Sequence, residues 1–224
     1  MSERVSTGIK KLDEILKGGF IKGRTYLISG EAGTGKTTFC LQFLREGALK
    51  GEPGLYVGID ERIPMVLEDA RSLGWELTNL PSKIEFSDIS PYFLELKAKK
   101  QPADMDFAHS IVDKLKSIID EIGARRLAID TIVPLVPPGD LSTIRDFIRE
   151  LIFTLEETLR CTTIITSEIP AGTNKLSRYG AEELFASGVI VLGFHRKGNK
   201  LLRTLLVRKM RATPVDLTYY TFEI

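Results

Sequence analysis

The octapeptide Gly30-Glu31-Ala32-Gly33-Thr34-Gly35-Lys36-Thr37 has the spacing G-x-x-x-x-G-K-[ST]. Every residue type in it suits the handling of phosphate. Glycines let the main chain close around phosphate oxygens where a side chain would collide. Successive N–H groups can then point inward as an anion nest. A helix starting near Lys36 adds the positive end of its dipole. Lys36 is long enough to reach the β and γ phosphates, Thr37 offers a hydroxyl to Mg²⁺, and Thr38 extends the segment.

Four acidic residues, at the ends of three apolar runs, complete the candidate chemistry. Asp130 ends the apolar run Leu127-Ala128-Ile129, where a strand would deliver its carboxylate beside the loop as a second Mg²⁺ anchor, reached through water. An aspartate that merely opens a loop would look the same. Asp60-Glu61 follows the run Leu55–Ile59, and either acid could orient or deprotonate an attacking water. Both also suit the first turn of a helix, the two roles are compatible, and which carboxylate leads stays open. Glu168 follows Thr162–Thr166 and could sense the γ phosphate through water, passing the signal into residues 170–182.

The surrounding pattern supplies the elements to position these residues. Short apolar runs at 25–29, 55–59, 84–86, 127–130 and 162–166 read as strands. Helical stripes lie between them: Thr37–Ala48, a helix opened by Arg62-Ile63-Pro64, Phe107–Ile122 and Ile144–Leu155. Thr7–Leu16 reads as a short helix capped by Thr7 and stopped by Gly18-Gly19. Alternation of this kind predicts an α/β fold, with a mainly parallel central sheet and helices on both faces. Strand candidates 189–192, 201–207 and 217–222 follow with no helix between them, which predicts an antiparallel C-terminal edge. Gly198-Asn199 marks a hairpin there. The polar, glycine-containing segment 170–182 reads as a mobile loop, and Lys97, Lys99 and Lys100 as solvated surface.

Composition narrows the rest. A length of 224 residues fits one α/β domain, 1–224. The net charge of +1 gives no global signal for a polyanion partner. Cys40 and Cys161 sit in apolar segments and read as buried free thiols, and His109 and His195 are isolated. No apolar run follows Met1 and none approaches the ~20 residues of a membrane span, so a cytoplasmic protein without membrane contact is expected.

These pieces occur together in a known order. The chain resembles the KaiC-like branch of the RecA/RadA ATPases, specifically its short single-domain archaeal members. The resemblance rests on Thr7-Gly8-Ile9, Leu12-Asp13, Gly18-Gly19-Phe20, the phosphate loop, Asp60-Glu61, Ile129-Asp130 and Thr166-Ser167-Glu168. It continues through Arg178-Tyr179-Gly180, Glu183, Gly188–Leu192 and Lys209-Met210-Arg211. It implies a RecA-like P-loop NTPase core, ATP as nucleotide, hydrolysis to ADP and phosphate, and a homo-oligomeric ring, a hexamer, with ATP at subunit interfaces. By the same resemblance Lys209 and Arg211 match a K-x-R strand that reaches the neighbour's ATP. Alternation along that strand puts both cations on one face. In the family's acidic pair the first position is commonly Glu, so Asp60, being shorter, shifts weight to Glu61. Glu183 and Leu184 fall where the clock protein carries its phosphorylated Ser-Thr pair, so autokinase activity is not expected. Turnover is expected to be slow.

Two functions from different classes fit this resemblance. One is an ATP-driven oligomeric switch acting on a protein partner. The other is a RadA-paralogue modulator of recombination that binds single-stranded DNA. The segments after Asp130 and Glu168 offer few cations, Lys175 and Arg178, and one aromatic, Tyr179, so single-stranded DNA binding is expected to be weak.

Overall fold

Runs that are apolar on both faces become inner strands, because helices cover the sheet on either side. In the computed structural model, which describes residues 2–59, 61–98 and 105–224, these are β3 (Thr25–Gly30), β4 (Gly54–Gly58), β6 (Arg126–Asp130) and β7 (Thr162–Glu168). β1 (Arg4–Val5) and β2 (Phe20–Ile21) form a separate antiparallel pair. β5 (Ile84–Asp88), β8 (Gly188–Lys197), β9 (Lys200–Met210) and β10 (Tyr219–Phe222) complete the main sheet, in the order β10-β9-β8-β3-β7-β6-β4-β5.

The sheet is parallel from β8 to β5, and β9 and β10 extend it antiparallel at one edge. This is the predicted architecture. The hairpin at Gly198-Asn199 joins β8 to β9. Seven α-helices lie among the described residues: α1 (Lys10–Ile15), α2 (Lys36–Leu49), α3 (Ile63–Ser72), α4 (Ser90–Ala98), α5 (Met105–Ile122), α6 (Leu141–Thr154) and α7 (Glu182–Phe185).

Two cores form, one on each sheet face. On one side Phe39, Phe43 and Leu44 of α2 pack with Tyr26, Ile28, Ile164 and Ile190. On the other, Ile111, Leu115 and Ile119 of α5 and Phe147, Leu151 and Ile152 of α6 cover Leu27, Ile129, Ile165 and Val189. One buried cation fixes α2 against the sheet. Arg126 lies 4.7 Å over the Phe43 ring, pairs with Glu52 at 2.7 Å and donates to the Phe43 carbonyl at 2.8 Å. Gly47 leaves the space for it, since a Cβ there would lie 2.4 Å from the guanidinium stem.

The structure differs from the sequence expectations in three places. The first helix starts at Lys10, and Ile9 at its N-cap makes no side-chain capping bond. The Thr7 hydroxyl instead accepts from the Ile9 N–H and donates to Asp13, while Gln42 of α2 holds the Gly8 carbonyl. α4 occupies a stretch whose amphipathic signal is weak, and Lys99 and Lys100 lie outside the described residues. Segment 170–182 is not one mobile loop: 171–175 is exposed, whereas Ser177, Ala181 and Glu182 are buried. The two cysteines are buried free thiols, as expected. Among the described residues no helix is long and apolar enough to cross a membrane.

Candidate nucleotide site

The register of the central strands brings the candidate residues to one edge. Gly30 is level with Glu168 on β7, and Gly58 is level with Asp130 on β6. Adjacent strands lie about 4.8 Å apart, so Glu168 and Asp130 stand one and two strands from the loop. Gly30 packs so tightly that a Cβ would lie 2.5 Å from the Leu192 carbonyl oxygen. Gly35, the N-cap of α2, has φ 103°, a left-handed conformation that favours glycine. The loop thus turns its N–H groups toward a cleft at the start of α2, where the helix dipole favours an anion.

That cleft, about 490 Å³, is lined by Ala32, Gly33, Gly35, Lys36, Thr37 and Thr38, and by the acids Glu61, Asp130 and Glu168. Gly30, Glu31 and Thr34 form the base of the same loop, where the Thr34 hydroxyl donates to the Glu31 carbonyl at 2.8 Å. Asp60 lies outside the described residues. Lys36 curls over its own loop, and its Nζ donates to the carbonyls of Gly30 and Glu31, both at 2.9 Å. Burial holds its pKa below the usual lysine range, against the opposing pull of Asp130, Glu168 and Glu61.

Asp130 is fixed from both sides. The Tyr56 hydroxyl on β4 donates to Oδ2 at 3.0 Å, and the Thr166 hydroxyl on β7 donates to Oδ1 at 2.6 Å. Burial, with the negative charge of Asp130 beside it, raises the Tyr56 pKa, which keeps this phenol a donor. Hard oxygen ligands suit Mg²⁺, which usually keeps several waters and completes its shell with substrate phosphates. A fixed carboxylate lining the same cleft as Thr37 fits that pattern. Among the described residues no three His, Cys, Asp or Glu are grouped to hold a metal alone, so phosphate oxygens would have to complete the shell.

The cleft also contains residues outside the phosphate-loop pattern. Arg203 on β9 donates from Nε to the Gly33 carbonyl at 3.1 Å and lines the cleft. Ile224 reaches over the loop, 2.5 Å from where a Gly35 Cβ would stand. An adjoining apolar pocket of about 420 Å³ is bounded by Leu73, Trp75, Leu205, Phe222 and Ile224. The sequence signal for these was faint: a lone arginine in an apolar strand, and the last residues of the chain.

Lys209 and Arg211 do not line the cleft. Lys209 is level with Val189, which neighbours Leu27, three residues down β3 from Gly30. Its Nζ donates to the carbonyls of Glu183, Leu184 and Ala186 at 2.8, 3.0 and 2.8 Å. Arg211 donates to the Leu184 carbonyl at 3.2 Å. Burial, and the neighbouring Arg211 charge, lower the Lys209 pKa.

A strand, a glycine-rich phosphate loop and a helix, with acids at the ends of the neighbouring strands, define the site as that of a P-loop nucleotide-binding protein. Comparison with known proteins narrows the class. The family model described as "ATPase: KaiC" matches residues 5–224. A UPF0273 protein of Methanocaldococcus jannaschii is 33% identical over 99% of this chain and 93% of its own length. The circadian clock oscillator protein KaiC of Synechococcus elongatus is 31% identical over 99% of this chain, which spans 42% of that protein. The crystal structure of a KaiC-like protein from Pyrococcus horikoshii superimposes with a TM-score of 0.82 at 36% identity, covering 100% of this chain and 96% of that one. The chain belongs to the KaiC ATPase family.

Proposed function

We propose that this protein, as a single domain spanning 1–224, binds Mg-ATP and hydrolyses it slowly to ADP and phosphate. It acts as a cytoplasmic, ring-forming switch with ATP at subunit interfaces. The observation that carries the proposal is the cleft that joins the phosphate loop to Asp130, Glu61 and Glu168. Lys36 leaves its carbonyl partners for the β and γ phosphates. Thr37 and Asp130 would hold Mg²⁺, which would supply positive charge against the charge developing on the phosphates. Glu61, with Asp60, orients the attacking water, and Glu168 senses the γ phosphate. The apolar pocket beside Ile224 accepts the base, and Arg203, bonded to the Gly33 carbonyl, lines the phosphate cleft.

A hexamer follows from the family's assembly rather than from any contact within this chain. Lys209 and Arg211 face away from their own cleft, so a nucleotide role for them requires a neighbour. Isothermal calorimetry tests the core proposal. Lys36→Ala should lose most γ-phosphate affinity, and Thr37→Ala should weaken binding only when Mg²⁺ is present. Wild-type Mg-ATP affinity in both variants would refute the site.

One observation favours a limited polyanion role as the second reading. His195, Arg196, Lys197 and Lys200 are all exposed around the β8–β9 turn, with no acid from 193 to 203. Tyr179 is half-buried and bonded to the Val133 carbonyl, which removes it as a stacking platform. Weak, salt-sensitive single-stranded DNA binding is therefore expected, read by fluorescence anisotropy at low and moderate salt. Tight binding that survives moderate salt would favour the recombination-modulator role over the protein switch.

A further inference from the structure

Glu182 is fully buried, and no salt bridge to it occurs among the described residues. A buried carboxylate without a cation needs donors on both oxygens to offset its desolvation. It has them. The Ser167 hydroxyl donates to Oε1 at 2.8 Å, and the Ser177 hydroxyl lies 2.7 Å from Oε2, its one proton shared with the Glu183 carboxylate. The backbone N–H of Tyr179 reaches both oxygens at 3.3 Å, and that of Ala181 reaches Oε2 at 3.1 Å. The backbone donors cannot rotate away. A glutamine would keep the volume but turn an NH₂ toward one of them. The position therefore demands an acceptor on both sides, which simple space-filling would not.

What Glu182 joins gives it significance. Ser167 adjoins Glu168, whose side chain lines the nucleotide cleft. Glu182 is also the first residue of α7, whose last-turn carbonyls hold Lys209 and Arg211. The same segment reaches the loop after Asp130 through the Tyr179 hydroxyl on the Val133 carbonyl, at 3.1 Å. We propose that Glu182 is a positioning residue, locking the nucleotide-facing end of β7 to the helix that places Lys209 and Arg211, so that turnover depends on this link. The proposal rests on the reading in which Lys209 and Arg211 serve a neighbour's ATP. Glu182 does not line the cleft and acts only through that pair.

Steady-state ATPase assays on the assembled protein test it as a mutant cycle, with Mg-ATP affinity from calorimetry and folding from circular dichroism. Glu182→Gln should lower kcat about 10- to 100-fold, the scale of an ångström-level misplacement, while Mg-ATP affinity stays near wild type. Glu182→Asp, which keeps an acceptor-only carboxylate, should recover part of the loss. In a Lys209→Ala, Arg211→Ala background, Glu182→Gln should lower kcat by no more than about 2-fold, because residues acting as one unit are non-additive. Losses that multiply in full, or wild-type kcat in Glu182→Gln, overturn the proposal while leaving the trans reading intact. Wild-type kcat in the Lys209→Ala, Arg211→Ala protein overturns the trans reading, and this proposal with it. If Glu182→Gln does not fold, Ser167→Ala, which removes the hydroxyl that joins β7 to Glu182 and to the Arg178 N–H, must show the same non-additive loss.

Discussion

The two ends of the sheet hold opposite charges in opposite ways. At the carboxyl end, Glu61, Asp130 and Glu168 gather around backbone N–H groups and one lysine, and all of them face an open cleft. Toward the amino end, Lys209 and Arg211 rest on main-chain carbonyls of α7 and its C-cap, and no carboxylate among the described residues lies at hydrogen-bond distance from them. In the proposed function the acids and loop receive Mg²⁺ and phosphate. The cations are parked on neutral dipoles, which a full anion outcompetes because charge-assisted bonds are about twice as strong as neutral ones. A ring of such subunits would bring one end to the other, completing at an interface a site that neither end completes alone.

The comparison breaks first at the cations. Lys209→Ala with Arg211→Ala should leave Mg-ATP binding near wild type and cut kcat, with the about 10³–10⁵-fold worth of arginine fingers as an upper guide. Steady-state turnover checks this, and a loss below about 3-fold would make the pair a cap for α7 and nothing more. At the other end, Glu61→Gln should slow single-turnover hydrolysis about 100-fold, within the range for a positioned acid or base. Asp60→Asn should have an equal or smaller effect. Full activity in the double variant would remove the pair from catalysis.

A smaller effect separates support from chemistry. Tyr56→Phe removes one of the two hydroxyls on Asp130 and should weaken Mg²⁺-dependent ATP binding about 10-fold, as for lost outer-shell partners. Magnesium titration of ATP binding reads this directly, and an unchanged magnesium dependence would separate Asp130 from the metal.

The smallest effect concerns pH. The charged Lys36 binds phosphate, and its pKa in the free protein is already lowered by burial. Bound phosphate raises it again. Affinity should therefore be full below the free pKa and fall as pH rises through it, at a pH below the usual lysine value of 10.5. Calorimetry in two buffers should show proton uptake on binding in that alkaline window. No uptake there would mean that Lys36 does not meet the phosphates.

What could be read in the chain beforehand follows the same division. The phosphate loop is contiguous, so its residue types carry their own geometry. Asp130 and Glu168 were legible because an acid at the end of an apolar strand lands at the carboxyl edge of a parallel sheet. The α/β alternation and the antiparallel edge followed from where helical stripes occur and where they stop. The supports were hidden. Tyr56 and Thr166 look like ordinary strand residues until register sets them on either side of Asp130. Arg203 meets Gly33 across 170 positions of chain. Glu182 falls within the polar segment 170–182 that reads as a mobile loop, and only its burial against Ser167 and Ser177 at the start of α7 marks it out. Sequence spacing carries local chemistry, whereas partners brought together by the sheet leave no periodic trace.

The central claim is that a working site takes its loop from one subunit and its cations from another. Mixed assembly tests it most directly. Lys36→Ala protein lacks a functional loop but keeps Lys209 and Arg211, while the Lys209→Ala, Arg211→Ala protein keeps its loop. Each alone should be nearly inactive. Co-assembled at varied ratios, with mixing verified by native mass spectrometry, they should regain part of the wild-type ATPase rate, because some interfaces then pair an intact loop with intact cations. Mixed assemblies that stay inactive at every ratio would contradict the account.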